Sequence, residues 1–251
     1  MKLPVALQLY TVRDETRKDF KKTLERVSEI GYQGVEFAGF GDVPAHEMKK
    51  VLDTLGLKAV GSHTPKELLF NELDKVMEYN LEIENKYVIC PYDNYDTKEG
   101  WIEAIGRYRS IAEKLRDNGL QYCYHNHAHE FVEYGNKYLL DMMYEMIDGS
   151  LLKAEIDTYW VYYAGVDPAG YVLKYSGRMP LVHIKDMEKD TRDYTEVGEG
   201  RMDIDGIVKA SAKAGAQWLV IEQDSCKIPS LESARVSFEN LRKILERSDD
   251  L

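Results

Sequence analysis

The stretch LVHIKD at residues 181–186 decides the fold, because a short apolar run ends there in charged side chains. Runs of this length, bounded by polar residues, are typical of buried β-strands. Seven more runs occur along the chain, each followed by a segment of helical period, and this alternation predicts parallel strands with crossover helices. They are VALQLY (5–10), GVEFAG (34–39), KAVGSH (58–63), KYVICP (86–91), QYCYHN (121–126), KAEIDT (153–158) and WLVIEQD (218–224).

The connecting segments predict helices that end in glycine. DFKKTLERVSEIG (19–31) and AHEMKKVLDTLG (45–56) are amphipathic, and glycine adopts the left-handed conformation that ends a helix. Eight such units in 251 residues, without a Pro/Ser-rich linker, predict one closed (β/α)₈ barrel domain over residues 1–251. The alternative is an open doubly wound sheet, but QLYTVRDE after the first run carries no G-x-G-x-x-G phosphate loop.

Composition narrows the class of partner. The chain has 44% hydrophobic and 31% charged residues, as an ordinary globular protein does, with a formal net charge of -11. This charge repels a phosphate backbone, and no stretch collects five Lys or Arg, so we expect no nucleic-acid partner. A small-molecule substrate is favoured.

The cysteines and the N-terminal residues indicate the compartment. Cys90, Cys123 and Cys226 are odd in number and widely spaced, which suits a reducing, cytoplasmic environment and gives no C-x-x-C metal motif. MKLPVALQLYTVRDE has only a short apolar run before charged residues, so we expect neither a signal peptide nor a membrane span.

Candidate functional residues lie where the predicted strands end, because the chemistry of such barrels sits at the C-terminal ends of their strands. Alternation places His183 with Lys185 on one face, and Glu222 with Asp224 on another. The candidates are Glu36, His63, His125, His127, Asp157, His183, Lys185, Asp186, Glu222 and Asp224.

Three of these residues predict a divalent-metal site. Asp157, His183 and Glu222 end the sixth, seventh and eighth runs, and a fourth ligand from the fifth run would complete the set. Two carboxylates and an imidazole suit Mn²⁺, Co²⁺, Fe²⁺, Mg²⁺ or Zn²⁺. Taken singly, each residue has a simpler interpretation as a helix cap or as the partner of a lysine.

The motifs QLYTVRD, YHNHAHEF, EIDTYW, VHIKD, VGEGRMDIDGI and VIEQD resemble the sugar phosphate isomerase/epimerase superfamily, whose members have a xylose-isomerase-like barrel. The resemblance covers nearly the whole chain. It implies one divalent metal ion, held by Asp157, His183, Glu222 and a residue of the fifth strand. Relatives often carry a glutamate there, whereas this chain has His125, and inosose dehydratases have a similar histidine-rich strand. Glu130, five residues further on, is the alternative fourth ligand.

The resemblance further implies an isomerase or epimerase acting on a sugar, sugar phosphate or cyclitol by proton abstraction next to a carbonyl. Glu222, His125 and Lys185 are the expected catalytic residues. The expected substrate contacts are Glu36, His63, His127, Glu130, Tyr10 and Trp160, with Arg13, Tyr159 and the backbone of VGEG (197–200) also placed at the pocket.

Two alternatives stay open. One is a dehydratase or lyase on a keto-sugar or keto-inositol, which His125 favours because an imidazole acid facing a carboxylate base suits elimination. The other is a sugar-binding barrel without catalysis. A homodimer is also compatible with this class of barrel.

Overall fold

The computed structural model describes residues 3–248, in which eight parallel strands close into a barrel with helices around it. Each strand lies within or beside one of the eight predicted runs, so the predicted (β/α)₈ fold is confirmed and the open sheet is wrong. The strands are β1 Val5–Gln8, β2 Gly34–Ala38, β3 Lys58–His63, β4 Tyr87–Cys90, β5 Gln121–His125, β6 Leu152–Asp157, β7 Leu181–Ile184 and β8 Trp218–Ile221. Around the barrel their order is β1-β8-β7-β6-β5-β4-β3-β2.

Helices cover the outside of the barrel. The predicted glycine stops are present, since Gly31 and Gly56 have φ values of 113° and 68° at the ends of two of these helices. Among residues 3–248, no helix is both long enough and apolar enough to span a bilayer. The helices are α1 Arg13–Thr16, α2 Phe20–Ile30, α3 Ala45–Leu55, α4 Lys66–Asn71, α5 Leu73–Glu82, α6 Lys98–Asp117, α7 Leu139–Met146, α8 Thr158–Tyr163, α9 Pro168–Lys174, α10 Ile204–Ala214 and α11 Ser230–Ser248, with 3-10 turns at Leu9–Val12 and His129–Phe131.

The barrel interior is apolar at one end and polar at the other. Side chains from the first residues of several strands fill the N-terminal end, among them Tyr87, Leu181 and the partly buried Trp218. The larger apolar core lies between the strands and the surrounding helices. Polar side chains inside the barrel are therefore concentrated at the C-terminal ends of the strands, where a barrel of this kind holds its site.

A loop after β7 is fixed by one carboxylate. Asp186–Met187 pairs with Tyr194–Thr195, and Asp186 Oδ2 accepts hydrogen bonds from the backbone N–H groups of Gly198 (2.9 Å) and Gly200 (3.0 Å). Its Oδ1 accepts the N–H of Met202 at 3.1 Å. The prediction that the VGEG backbone faces a substrate is wrong, because the N–H groups of its two glycines are already bound to Asp186.

Candidate metal centre and pocket

Strand-end side chains from six strands converge inside the barrel mouth, as the sequence predicted. All are almost completely buried except His63, whose side chain is 9% exposed, and His183 lies at their centre. They are Glu36 from β2, His63 from β3, His125 from β5, Asp157 from β6, His183 and Lys185 from β7, and Glu222 from β8.

The His183 ring faces carboxylates with both nitrogens. Its Nδ1 lies 2.9 Å from Glu222 Oε2, and its Nε2 lies 2.7 Å from Glu36 Oε2 and also contacts Glu155. Gln8 Nε2 donates to the same Glu36 oxygen at 2.7 Å. The imidazole orientation is thus fixed from both sides, as for a histidine that binds a metal through one nitrogen and donates a proton to a carboxylate through the other.

Lys185 lies among three carboxylates. Its Nζ is 2.9 Å from Asp157 Oδ2, 2.8 Å from Glu222 Oε2 and 2.8 Å from Asp224 Oδ2. Burial lowers the pKa of Lys185, but Asp157 and Glu222 outweigh this effect, raise the pKa well above its usual value and keep the ammonium charged. Lys185 is therefore an ion-pair residue of the site itself.

The four expected metal ligands form what we call the outer cluster: His125, Asp157, His183 and Glu222. One donor atom from each lies within 4.8 Å of all the others. Asp157 Oδ2 is buried and accepts no well-directed hydrogen bond, although the Lys185 ammonium lies near it. The nitrogen and oxygen donors, and this underused oxygen, fit a divalent cation. A bound divalent cation and the Lys185 ammonium would together balance the negative charge of the three carboxylates around Lys185.

Sequence reasoning missed Glu155, which lies deeper in the barrel. Its Oε1 is 3.2 Å from His63 Nε2 and 3.6 Å from His125 Nδ1, and it contacts His183 Nε2. His63, His125, Glu155 and His183, here called the inner cluster, again offer donor atoms within 4.8 Å of one another. Period-two alternation was the available signal, because Glu155 lies two residues before Asp157 and shares its face.

His63, His125 and His127 differ in the pKa of their imidazole rings. Burial lowers the pKa of His63, but Glu36 and Glu155 outweigh it and raise the pKa to about 10. Burial, helped by the nearby His183, holds the pKa of His125 well below its usual value. For His127, burial and Lys185 lower the pKa to about 3.

A cavity of about 240 Å³ opens above the clusters. It brings together the expected contacts Tyr10, His63 and His127 with the expected catalytic residues His125 and Glu222. Asp224, Pro91 and the half-exposed Tyr92 complete its lining. Pro91 and Tyr92 lie in the loop after β4, where the sequence predicted no site residue.

Other expected contacts lie outside this cavity. Glu130 is buried, with Oε1 bound to Tyr124 Oη (2.8 Å) and Oε2 to the His127 N–H (2.8 Å), so it supports the β5 loop and belongs to neither cluster. Trp160 packs on His127 with ring centroids 5.3 Å apart. Tyr159 is 1% exposed and donates to the Arg192 carbonyl. Glu36 reaches the site through His63 and His183.

Comparison with known proteins defines the family. The sequence model of the xylose isomerase-like TIM barrel matches residues 24–244, which is most of the chain. The protein therefore belongs to the xylose isomerase-like TIM barrel family.

Individual relatives are more distant. An inosose dehydratase from Clostridium beijerinckii is 21% identical over 246 residues, covering 82% of each chain. A sugar phosphate isomerase/epimerase from Parabacteroides distasonis superposes with a TM-score of 0.85 at 24% identity, covering 96% of this chain and 94% of that one. The IOLI protein, solved with a bound zinc atom, superposes with a TM-score of 0.78 at 14% identity, covering 98% and 99%.

Proposed function

We propose that the protein is a divalent-metal-dependent enzyme that removes a proton next to the carbonyl of a keto-sugar or keto-cyclitol and then eliminates water or an alcohol. The observation that carries the proposal is the arrangement of unlike acid/base groups around the cavity. In the ring of eight strands β8 is opposite β4, so Glu222 faces His63 and His125, which flank β4 on β3 and β5. A carboxylate base facing an imidazole acid suits elimination.

Residues of the chain have separate roles in the proposed elimination. Glu222, which lines the cavity, takes the proton from the carbon next to the carbonyl, and the C–H electron pair forms the new double bond. The C–O bond at the next carbon breaks, and the departing oxygen takes a proton across the cavity from the His63 imidazolium, whose pKa burial lowers but Glu36 and Glu155 raise to about 10. Lys185, between Asp157 and Glu222, stabilises negative charge on the substrate oxygen.

The outer cluster supports a metal requirement. Asp157, His183 and Glu222 would hold the ion, with His125 as the fourth donor within reach. When bound, the ion would polarise the substrate carbonyl and so acidify the neighbouring C–H bond. The zinc bound to the IOLI protein, which has the same fold, supports a metal requirement, while the identity of the ion here stays a prediction.

An isomerase or epimerase of the same substrates is the second candidate. Glu222 favours the isomerase, because a single carboxylate that lines the cavity can take the proton from one carbon and return it to the neighbouring carbon. The carbohydrate substrate, the cytoplasmic location and the homodimer stay proposals. Cys90, Cys123 and Cys226 are free thiols in the described chain, which supports a reducing compartment.

Deuterium exchange separates these activities. The Mn²⁺-loaded protein is incubated in D₂O with an inosose and a panel of keto-hexoses and followed by ¹H NMR, with Glu222→Gln as the control. We expect loss of the proton next to the carbonyl together with formation of an unsaturated ketone. Exchange without elimination would select the isomerase or epimerase, and no exchange with any substrate would leave a binding protein.

A further inference from the structure

A second cavity lies between α8, the start of α9 and the loop after β7. Its volume is about 490 Å³, which is in the range of cavities that hold small molecules. It shares no lining residue with the cavity above the metal-binding clusters. Two tyrosines of α8, Tyr162 and Tyr163, and two arginines of the loop, Arg192 and Arg201, line it, and we call it the arginine cavity.

The two arginines have no acidic partner. Within residues 3–248, Arg192 and Arg201 form no ion pair, although the chain has a formal net charge of -11. Arg201 donates to the Lys189 carbonyl at 3.3 Å and contacts the Met187 sulfur at 2.9 Å, and both of these acceptors are neutral. Two positive charges without compensation at one cavity attract an anion.

The acidic residue of this lining, Asp167, is already engaged with its own helix. Its Oδ1 accepts the N–H of Ala169 at 3.2 Å, and its Oδ2 accepts the N–H of Gly170 at 3.0 Å. Asp167 therefore caps the N-terminus of α9, where the helix dipole stabilises negative charge. The charge of the arginine pair is left for a ligand.

Each guanidinium of the pair lies over a tyrosine ring. Arg192 Cζ is 4.7 Å from the centroid of the Tyr163 ring, and Arg201 Cζ is 5.8 Å from that of Tyr162. A ring contacts the flat face of a guanidinium, so the N–H groups in its plane stay available to an oxyanion. The contact also restricts the side chain before binding, which lowers the entropy cost of holding a ligand.

We propose that the arginine cavity binds a small phosphate monoester, with the phosphate group held by Arg192 and Arg201 and the organic part against Tyr162 and Tyr163. Two guanidinium charges match a phosphate group, which carries about -1.5 to -2 charges at pH 7. Guanidinium groups also bind phosphate oxygens through paired N–H groups. A carboxylate has a single negative charge and would leave one arginine uncompensated.

The bound ester would connect two segments that follow site residues in the chain. The loop with both arginines begins directly after Lys185, and α8 begins directly after Asp157, whose Oδ1 caps it by accepting the Trp160 N–H at 3.0 Å. This binding site goes beyond the proposed function, because it lies outside the cavity in which the proton would be removed. Its test therefore needs no measurement of activity.

Calorimetric titration of the full chain tests the site with phenyl phosphate and with benzoate, which has the same ring but one negative charge. We expect saturable binding of phenyl phosphate and weaker binding of benzoate. Arg192→Gln and Arg201→Gln should each bind phenyl phosphate about 10–100-fold more weakly, since a hydrogen bond to a charged group is lost. Both arginines are exposed, so neither variant removes a buried contact of the fold.

The matched control is Arg17→Gln. Arg17 is exposed, has no acidic partner in the described chain and lines a different cavity, so this variant should bind phenyl phosphate as wild type does. Equal weakening in Arg17→Gln would show that only the overall charge matters and would overturn the proposal. Absence of saturable binding to wild type, or benzoate binding as tight as that of phenyl phosphate, would overturn it as well.

Anomalous diffraction shows where the anion binds. Crystals of the full chain are soaked in tungstate, a tetrahedral dianion like phosphate, and we expect a tungsten peak between Arg192 and Arg201. A peak only elsewhere, including the cavity lined by His63 and Glu222, or no peak at all, would overturn the arginine cavity as a phosphate site. None of these results would change the proposed function.

Discussion

The Nδ1 atom of His183 lies 2.9 Å from Oε2 of Glu222, and the two residues come from neighbouring strands of the barrel. Both residues belong to the outer cluster. We expect His183→Ala and Glu222→Gln each to reduce outer-site metal, and Glu222→Gln to lower kcat by about 10²–10⁴-fold because it also removes the base. Metal content is measured by elemental analysis before and after EDTA. Full activity in metal-free protein would contradict the prediction.

Lys185 is the positively charged residue whose removal we expect to destabilise the protein most. In Lys185→Met three carboxylates lose their ammonium, and the metal-free variant should be less stable by about 3–5 kcal/mol, since an unpaired buried charge remains. Urea unfolding measures this difference, with the exposed Lys213→Met as the control. Mn²⁺ should raise the melting temperature of Lys185→Met more than that of wild type. Equal shifts in both proteins would show that Lys185 and the ion do not share these carboxylates.

Gly61 makes room for Glu36. A Cβ at this position would lie 2.5 Å from Glu36 Oε1 and 2.7 Å from Ile89 Cδ1. Gly61→Ala should therefore displace the Glu36 carboxylate from His183, destabilise the fold by about 1–3 kcal/mol and lower activity. The matched control is Gly106→Ala in α6, where the added Cβ meets nothing within 4 Å. Unchanged activity in Gly61→Ala would contradict the role assigned to Glu36.

Glu130 tests which residue replaces the strand-five glutamate of relatives. Because its oxygens bind Tyr124 and the His127 backbone, Glu130→Gln should lower stability by about 1–3 kcal/mol and leave the metal content unchanged. Chemical denaturation and elemental analysis are the two measurements. Loss of the ion from a folded Glu130→Gln protein would assign Glu130, and not His125, as a ligand.

Stability of the metal-free protein should fall in alkaline solution. Although burial lowers the pKa of His63, Glu36 and Glu155 raise it to about 10, above the value near 6.5 of an unfolded chain. The stabilisation that protonated His63 gives to the fold is therefore fully present below pH 6.5 and is lost as pH rises towards 10. We expect His63→Asn to show a smaller decrease in unfolding free energy over this range than wild type. The exposed His46→Asn serves as the control, and a parallel decrease in wild type and His63→Asn would refute the assignment.

The sequence predicted the barrel because strand and helix periods alternate eight times, and it predicted the mouth because the strand ends carry His125, Asp157, His183 and Glu222. Glu155 was missed because only the last residues of each run predict site positions, whereas alternation also turns the residue two positions before Asp157 into the barrel. Tyr92 was missed because a loop residue has no periodicity. The VGEG loop was misinterpreted, since only the fold shows that Asp186 takes its N–H groups.

The bonds from Asp186 to the loop at 198–202 have a consequence for how a substrate enters. Residues 186–202 contribute nothing to the cavity lining, and their backbone is held to the strand that carries His183 and Lys185. The rim beside β7 is thus held by hydrogen bonds, while Tyr10 and Tyr92, 41% and 51% exposed, lie at the rim after β1 and β4. A bound molecule longer than the cavity would extend out over these two tyrosines, so the entrance is one-sided.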